Sequence, residues 1–263
     1  MKKVFYILLA TLLIFNITSC SPSTTSNDKK ELIIFAAASM TETLNEIKAL
    51  YENENKNVNI IYNFDSSGTL KTQIENGAIC DVFISAAPKQ MNGLEELNLI
   101  DKSTRINLLE NKVSLVVTDE NKKNILSFKD LFSKLPEGNI ILAIGNSDVP
   151  VGQYTEKIFI YFNVDEKKLN SIGALTYGTN VKEVTTQVKE NVVDAGIIYA
   201  TDAVSANLHI VDTANKEMCG QVLYPIAVIK DSKNIDEAKK FIEYLKNDKS
   251  ENIFKSVGFT PLS

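Results

Sequence analysis

Short apolar runs and amphipathic stretches take turns along this chain. Residues 32–35 are apolar and lead into helical spacing over 40–53. Residues 59–64 lead into 69–76, and 82–85 into 88–97. Runs of this length predict strands, and apolar positions three and four apart predict helices. Further strands are expected at 113–117, 140–144, 173–177 and 195–199, with a less regular segment at 126–135 and helices at 151–162 and 181–190. Residues 222–229 read as another strand, followed by a helix at 235–247 and a tail at 253–261. The alternation predicts an α/β fold with largely parallel sheets. No repeat period is present, and two α/β halves suit the length. Helix 235–247 places Ala238, Phe241, Ile242 and Leu245 on one face, which needs a sheet to cover. If that sheet belongs to the first half, the chain crosses between halves twice, near Lys112 and Val222.

The places where strands hand over to helices carry the candidate chemistry. Ala36-Ala37-Ala38-Ser39 ends a strand on small residues at a helix start. Unpaired N–H groups and the positive end of the helix dipole meet at such a point, which suits an anion. Ser39-Met40-Thr41-Glu42 has the spacing of a capping box, with Ser39 as N-cap and Glu42 at N3. Asp65-Ser66-Ser67-Gly68-Thr69 is a second such turn, either a ligand cradle or an ordinary capped turn. Asp148-Val149-Pro150-Val151-Gly152 puts a Pro at the start of a helix, so the next free amide is that of Val151. Thr179-Asn180-Val181-Lys182-Glu183 repeats the capping box, with Asn180 as N-cap, and leaves the Val181 amide as an unpaired donor. Both starts are also what a solvated helix end looks like. Tyr199 closes a buried strand, and its hydroxyl either sits at the rim of the core or reaches the crevice beyond the strand ends.

The amino terminus adds an address. Lys2 and Lys3 precede an apolar stretch over 4–17 that is too short for a bilayer, which takes about 20 residues. Ile17-Thr18-Ser19-Cys20 resembles the bacterial lipoprotein signal, in which the Cys is lipidated and becomes the first mature residue. Residues 1–20 are therefore expected to be the signal and 21–30 a flexible tether. The chain is then expected to be exported and lipid-anchored through Cys20 on the outer face of the cell membrane. A net charge of −5 with no basic block argues against a nucleic-acid partner. Cys80 and Cys219 either pair or stay buried as small hydrophobes. Enzyme signatures are scarce: His209 is the only His, no Gly-x-Ser-x-Gly elbow or phosphate loop occurs, and no His or Cys pair has metal-ligand spacing. No catalytic residue, resident metal or cofactor is expected.

Together, Phe35-Ala36-Ala37-Ala38-Ser39, Phe64-Asp65-Ser66-Ser67-Gly68-Thr69-Leu70, Asp81-Val82-Phe83-Ile84-Ser85-Ala86, Val149-Pro150-Val151-Gly152-Gln153-Tyr154, Gly196-Ile197-Ile198-Tyr199 and Tyr224-Pro225-Ile226-Ala227-Val228 resemble the substrate-binding proteins of molybdate ABC transporters. The resemblance runs in order from about Leu32 to Thr260. It implies a two-lobed periplasmic-binding-protein fold of type II, each lobe a mixed, mostly parallel sheet flanked by helices. Lobe I is expected to hold 31–112 and 222–263, and lobe II 113–221. The resemblance also implies an oxyanion site made of two Ser hydroxyls, two backbone amides and one Tyr hydroxyl. By motif these are Ser39 and Ser67 of one lobe, and Val151, Val181 and Tyr199 of the other. The expected function is capture of molybdate or tungstate for a membrane permease, by a monomer. Alternatives are a receptor for sulfate, phosphate or tungstate alone, a ferric-ion binder, or a secreted enzyme on the same fold. Two positions depart from the family pattern: Asp65 replaces a small uncharged residue and Gly68 a frequent Ser.

Overall fold

The computed structural model describes residues 29–118 and 120–262. The expected signal, Cys20 and most of the expected tether lie outside the described residues. The chain begins with β1 (Lys30–Ala37), a 3-10 turn (Ala38–Met40), α1 (Thr41–Glu54), β2 (Val58–Asp65), α2 (Ser67–Glu75), β3 (Val82–Ile84), α3 (Pro88–Glu96) and β4 (Ile106–Asn111). Next come β5 (Val113–Val117), α4 (Phe128–Lys134), β6 (Leu142–Gly145), α5 (Pro150–Tyr161), α6 (Glu166–Ser171), β7 (Leu175–Gly178), α7 (Val181–Lys189), β8 (Ala195–Tyr199), α8 (Ala200–Ala206), β9 (His209–Thr213) and α9 (Lys216–Cys219). It closes with β10 (Val222–Val228), α10 (Ile235–Tyr244), α11 (Asp248–Ser256) and β11 (Thr260–Pro261).

The strands form two sheets, in the orders β11-β4-β10-β3-β1-β2 and β7-β6-β8-β5-β9. The first sheet thus uses strands up to Asn111 and from Val222 onward, and the second uses those between Val113 and Thr213. Each has a parallel core, β2-β1-β3 in one and β7-β6-β8 in the other. The mixed character matches the expectation, with a larger antiparallel share: β10 runs against β3 and β4, β11 against β4, and β5 against β8 and β9. The reason is the passage between sheets. β4 and β5 are separated by Lys112 alone, and β10 re-enters the first sheet at the end where β4 leaves it, Val222 opposite Asn111, so the two run in opposite directions.

Burial explains which elements were legible. All five residues of β5 are buried, as expected for an interior strand. Ala238, Phe241, Ile242 and Leu245 are all buried, with the Phe241 ring edge-on to Tyr51 of α1 at 5.3 Å between centroids. Each such large side chain contributes about 1.5–3 kcal/mol by leaving water. The expected tail at 253–261 holds the end of α11 and the short β11, and α11 starts earlier, after its cap Asn247, whose side chain accepts from the Ser250 amide. Its first turn is polar, so only Ile253 and Phe254 mark it as packed. β4 and β9 were also unread, because Asn and Glu break the apolar pattern of β4 and β9 lies at a sheet edge. Cys80 and Cys219 are free, buried thiols. Desolvation holds both above the ordinary thiol range. No described helix is long and apolar enough to cross a membrane.

Candidate functional site

Five strands end at the cleft between the two sheets, and each expected site residue follows or closes one of them. Ser39 sits just beyond β1, Ser67 beyond β2, Val151 beyond β6, Val181 beyond β7, and Tyr199 is the last residue of β8. The carboxyl ends of parallel strands are where α/β sheets place ligands, because helix starts gather there. The fold brings all five residues into the lining of one cavity of about 200 Å3, counted out to its mouth. No Lys, Arg or His lines it, and Asp65 is its one carboxylate. A larger groove, of about 2330 Å3 counted the same way, also lies between the lobes, but its walls carry Lys71, Lys89, Glu96, Glu156 and Lys157 and none of the five. Its charged, open walls resemble ordinary helix faces, whereas the small cavity has converging donors.

The hydrogen bonds of the two serines leave their hydroxyl protons able to turn inward. The Ser66 side chain caps α2 by accepting from the Thr69 amide, so Ser67 is free of that duty. Ser67 Oγ accepts from the Ala86 amide at 2.9 Å and keeps its own proton to donate. Ser39 does not cap α1: the N-cap is Met40, and no side chain caps that start. The intervening 3-10 turn rotates Ser39 inward, where its hydroxyl lies 2.9 Å from that of Tyr224. Asn111 Nδ2 donates to the Tyr224 oxygen at 3.1 Å. Either hydroxyl can be the donor in the Ser39–Tyr224 bond; with the phenol as donor, the Ser39 proton is left for the cavity. Tyr224 and Asn111 were not singled out as functional from sequence. The signal was present only as the Tyr224-Pro225 motif, with nothing to say that its phenol would meet a serine far away in the chain.

Tyr199 completes the set. Its hydroxyl is buried and has no hydrogen-bond partner among the described residues. A buried phenol lacking a partner costs about 1–3 kcal/mol, so its presence calls for an acceptor. Desolvation pushes its pKa well above the ordinary phenol value, and the neighbouring Tyr224, Tyr154 and Asp202 push the same way, so it remains a neutral donor. Its ring is held edge-on by Tyr154 and Tyr224, at 6.4 and 5.7 Å between centroids.

The two amides lie in first turns, where the helix itself supplies no acceptor. α5 has no side-chain cap, and Pro150 occupies its start. A Cβ on Gly152 would come within 2.1 Å of the Asn146 carbonyl oxygen, so only glycine lets α5 press this closely on the end of β6. At α7 the expected capping box is present in part. Asn180 accepts from the Glu183 amide, and the Glu183 carboxylate takes the Thr179 amide at 2.6 Å. Neither uses the Val181 amide. Asp65 Oδ1 accepts from the Ser66 amide at 2.7 Å, so this carboxylate serves the turn before α2. Among the described residues no three His, Cys, Asp or Glu side chains could share a metal ion.

Contacts across the cleft draw the lobes together. A Cβ on Gly68 would meet the Asp148 carbonyl oxygen at 2.3 Å, so a bare Cα is what admits the second lobe there. Lys182 Nζ lies 2.7 and 2.8 Å from the Glu42 carboxylate oxygens and 3.1 Å from Asp202 Oδ1. Two lobes joined by two chain crossings, with donors from both facing one small cavity, define a solute-binding protein.

The chain belongs to the bacterial extracellular solute-binding protein family, which matches residues 32–260. It is 36% identical to YvgL of Bacillus subtilis strain 168, provisionally named an ABC transporter substrate-binding lipoprotein, across 96% of this chain and 95% of that one. It is 33% identical to the molybdate-binding protein ModA of Escherichia coli K12, across 89% and 90% of the two chains. A solved structure from Clostridium difficile, provisionally named the substrate binding domain of a molybdenum ABC transporter, superposes with a TM-score of 0.66 at 33% identity. That match spans 89% of this chain and 100% of the other. These relatives are transport proteins rather than enzymes, and the resemblance carried by the motifs extends over the whole folded body.

Proposed function

We propose that this protein captures molybdate, and tungstate with it, outside the cell and delivers the oxyanion to the membrane permease of an ABC transporter. Lipid on Cys20 would hold it at the outer face of the membrane. The observation that carries the reading is the convergence of Ser39, Ser67, Val151, Val181 and the partnerless Tyr199 hydroxyl on one cavity. A fully ionised tetrahedral dianion has acceptors only, and these five groups can each donate a hydrogen bond to it. Hydrogen phosphate must also place its own proton, and a buried donor without an acceptor costs about 1–3 kcal/mol. Fixed amide and hydroxyl dipoles act at contact distance, whereas the net negative charge of the chain is spread out and screened. Between sulfate and molybdate the discriminator would be size, since a cage spaced for the larger ion could not touch the smaller one on every side. The names of the relatives favour molybdate within this class.

Thermal unfolding of the purified protein with molybdate, tungstate, sulfate or phosphate tests the reading. Ligand at a hundredfold excess over its dissociation constant stabilises by about 2.7 kcal/mol. For a body of this size that is a rise of roughly 5–10 °C in the midpoint. A rise with molybdate and tungstate alone supports the proposal. A rise with phosphate would mean that the Asp65 carboxylate accepts the ligand proton, and no rise with any of the four would overturn it.

A further inference from the structure

Lys182 follows Val181 at the start of α7, in the second lobe, yet its ammonium reaches across the cleft to Glu42 of α1, in the first. Glu42 stands three residues beyond Ser39, so the pair straddles the cleft beside the candidate donors. Behind Lys182 lies Asp202 of α8, which is fully buried and three residues past Tyr199. Neither Asp202 carboxylate oxygen has a hydrogen bond among the described residues, although Lys182 Nζ stands 3.1 Å from one of them. The ammonium is thus the counter-charge of a buried carboxylate in its own lobe and the partner of an exposed carboxylate in the other. Burial by itself pulls Lys182 down, but Asp202 and Glu42 more than offset it, so it stays charged. Asp202 and Lys182 belong to the same lobe, so their pairing does not itself span the cleft. The contact with Glu42 is the one that spans it.

We propose that Lys182 is a positioning residue. It ties the start of α7, and with it the Val181 amide, across the cleft to Glu42 beside Ser39, so that closure over the ligand is set by an ion pair as well as by the ligand itself. This rests on the reading of the cleft as an anion site. A contact present only in the closed form adds to the closed population, and apparent affinity scales with that population. The ligand therefore leaves more slowly with the pair in place. Because Glu42 is partly exposed, the contribution is that of a surface pair and fades with salt.

The test uses stopped-flow or calorimetric measurement of molybdate binding to wild type, Glu42→Gln and Glu42→Lys, each at low and high salt. Glu42→Gln removes the attraction and is expected to raise the dissociation rate about two- to fivefold at low salt. Glu42→Lys sets like charges against each other and is expected to raise it further, while both differences shrink at high salt. Lys182→Arg, which keeps the charge, should bind like wild type. Glu42 also lies in the first turn of α1, so a small, salt-screened loss of ligand-free stability is expected in both variants; a helix effect alone would lower the ligand-free midpoint without changing the dissociation rate. Equal dissociation rates in wild type and both Glu42 variants would overturn the proposal while leaving the anion site intact. Failure of wild type to bind any of the four anions would instead overturn the site.

Discussion

Replacing Tyr199 by Phe should weaken oxyanion binding without weakening the fold. The change removes one oxygen and keeps the ring, so the edge-on contacts with Tyr154 and Tyr224 persist. That oxygen is buried and has no partner among the described residues. Its removal costs the ligand-free protein nothing and relieves a burial penalty of about 1–3 kcal/mol to the extent that the cleft stays shut. For a body of this size each kcal/mol moves the midpoint by about 2–4 °C, so the ligand-free midpoint should hold steady or rise by a few degrees. With ligand the sign reverses. A hydrogen bond to a charged acceptor contributes about 1.5–3 kcal/mol, which corresponds to a loss of roughly 10- to 150-fold in affinity. Because desolvation holds the phenol well above its ordinary pKa, the loss should be constant across neutral and mildly alkaline pH. Calorimetric titration with molybdate gives the affinity, and a melting scan without ligand gives the stability. Unchanged affinity, or a ligand-free midpoint that falls by several degrees, would refute the reasoning, since either would make Tyr199 an ordinary core residue.

Gly68→Ala should act from outside the donor set. Its Cβ would fall 2.3 Å from the Asp148 carbonyl oxygen, so the lobes must part to admit it. Affinity is expected to drop at least tenfold with little change in ligand-free stability, and solution scattering with saturating molybdate should report a wider molecule than wild type; identical scattering curves would count against the contact. Asp202 supplies a pH signature. Burial raises its carboxyl to about 6 against the pull of Lys182, compared with about 3.9 when unfolded. The folded state therefore holds this proton more tightly, so its contribution to stability is full below about pH 4 and declines as pH rises to about 6. The decline amounts to roughly 3 kcal/mol, at about 1.4 kcal/mol per unit. Subtracting the Asp202→Asn stability profile from that of wild type should expose this slope between pH 4 and 6.5, and a flat difference would contradict it.

Local signals in the chain were enough for the strand–helix alternation and for the places where helices start. Asn180 and Pro150 act where they stand in sequence, because a cap or an N-terminal Pro involves only the next few residues. The Ala238, Phe241, Ile242 and Leu245 face was legible for the same reason, since helical periodicity is a short-range property. The five candidate donors are named as a set only through the family resemblance; the strand-to-helix junctions by themselves leave each of them open as a cap, a helix end or a core residue. Other features needed the folded chain. Ser39 matched a capping box, yet in the fold its hydroxyl turns to Tyr224, 185 residues away, and the cap is left unmade. Lys182 meets Glu42 across 140 residues, and nothing near either position announces the other. β4 pairs on both sides only because β10 and β11 return from the far end of the chain. Capping and periodicity are decided over a few residues, whereas the direction of a hydroxyl and the partner of an ammonium are decided by whichever surface the sheets bring opposite. Tertiary packing alone sets that surface.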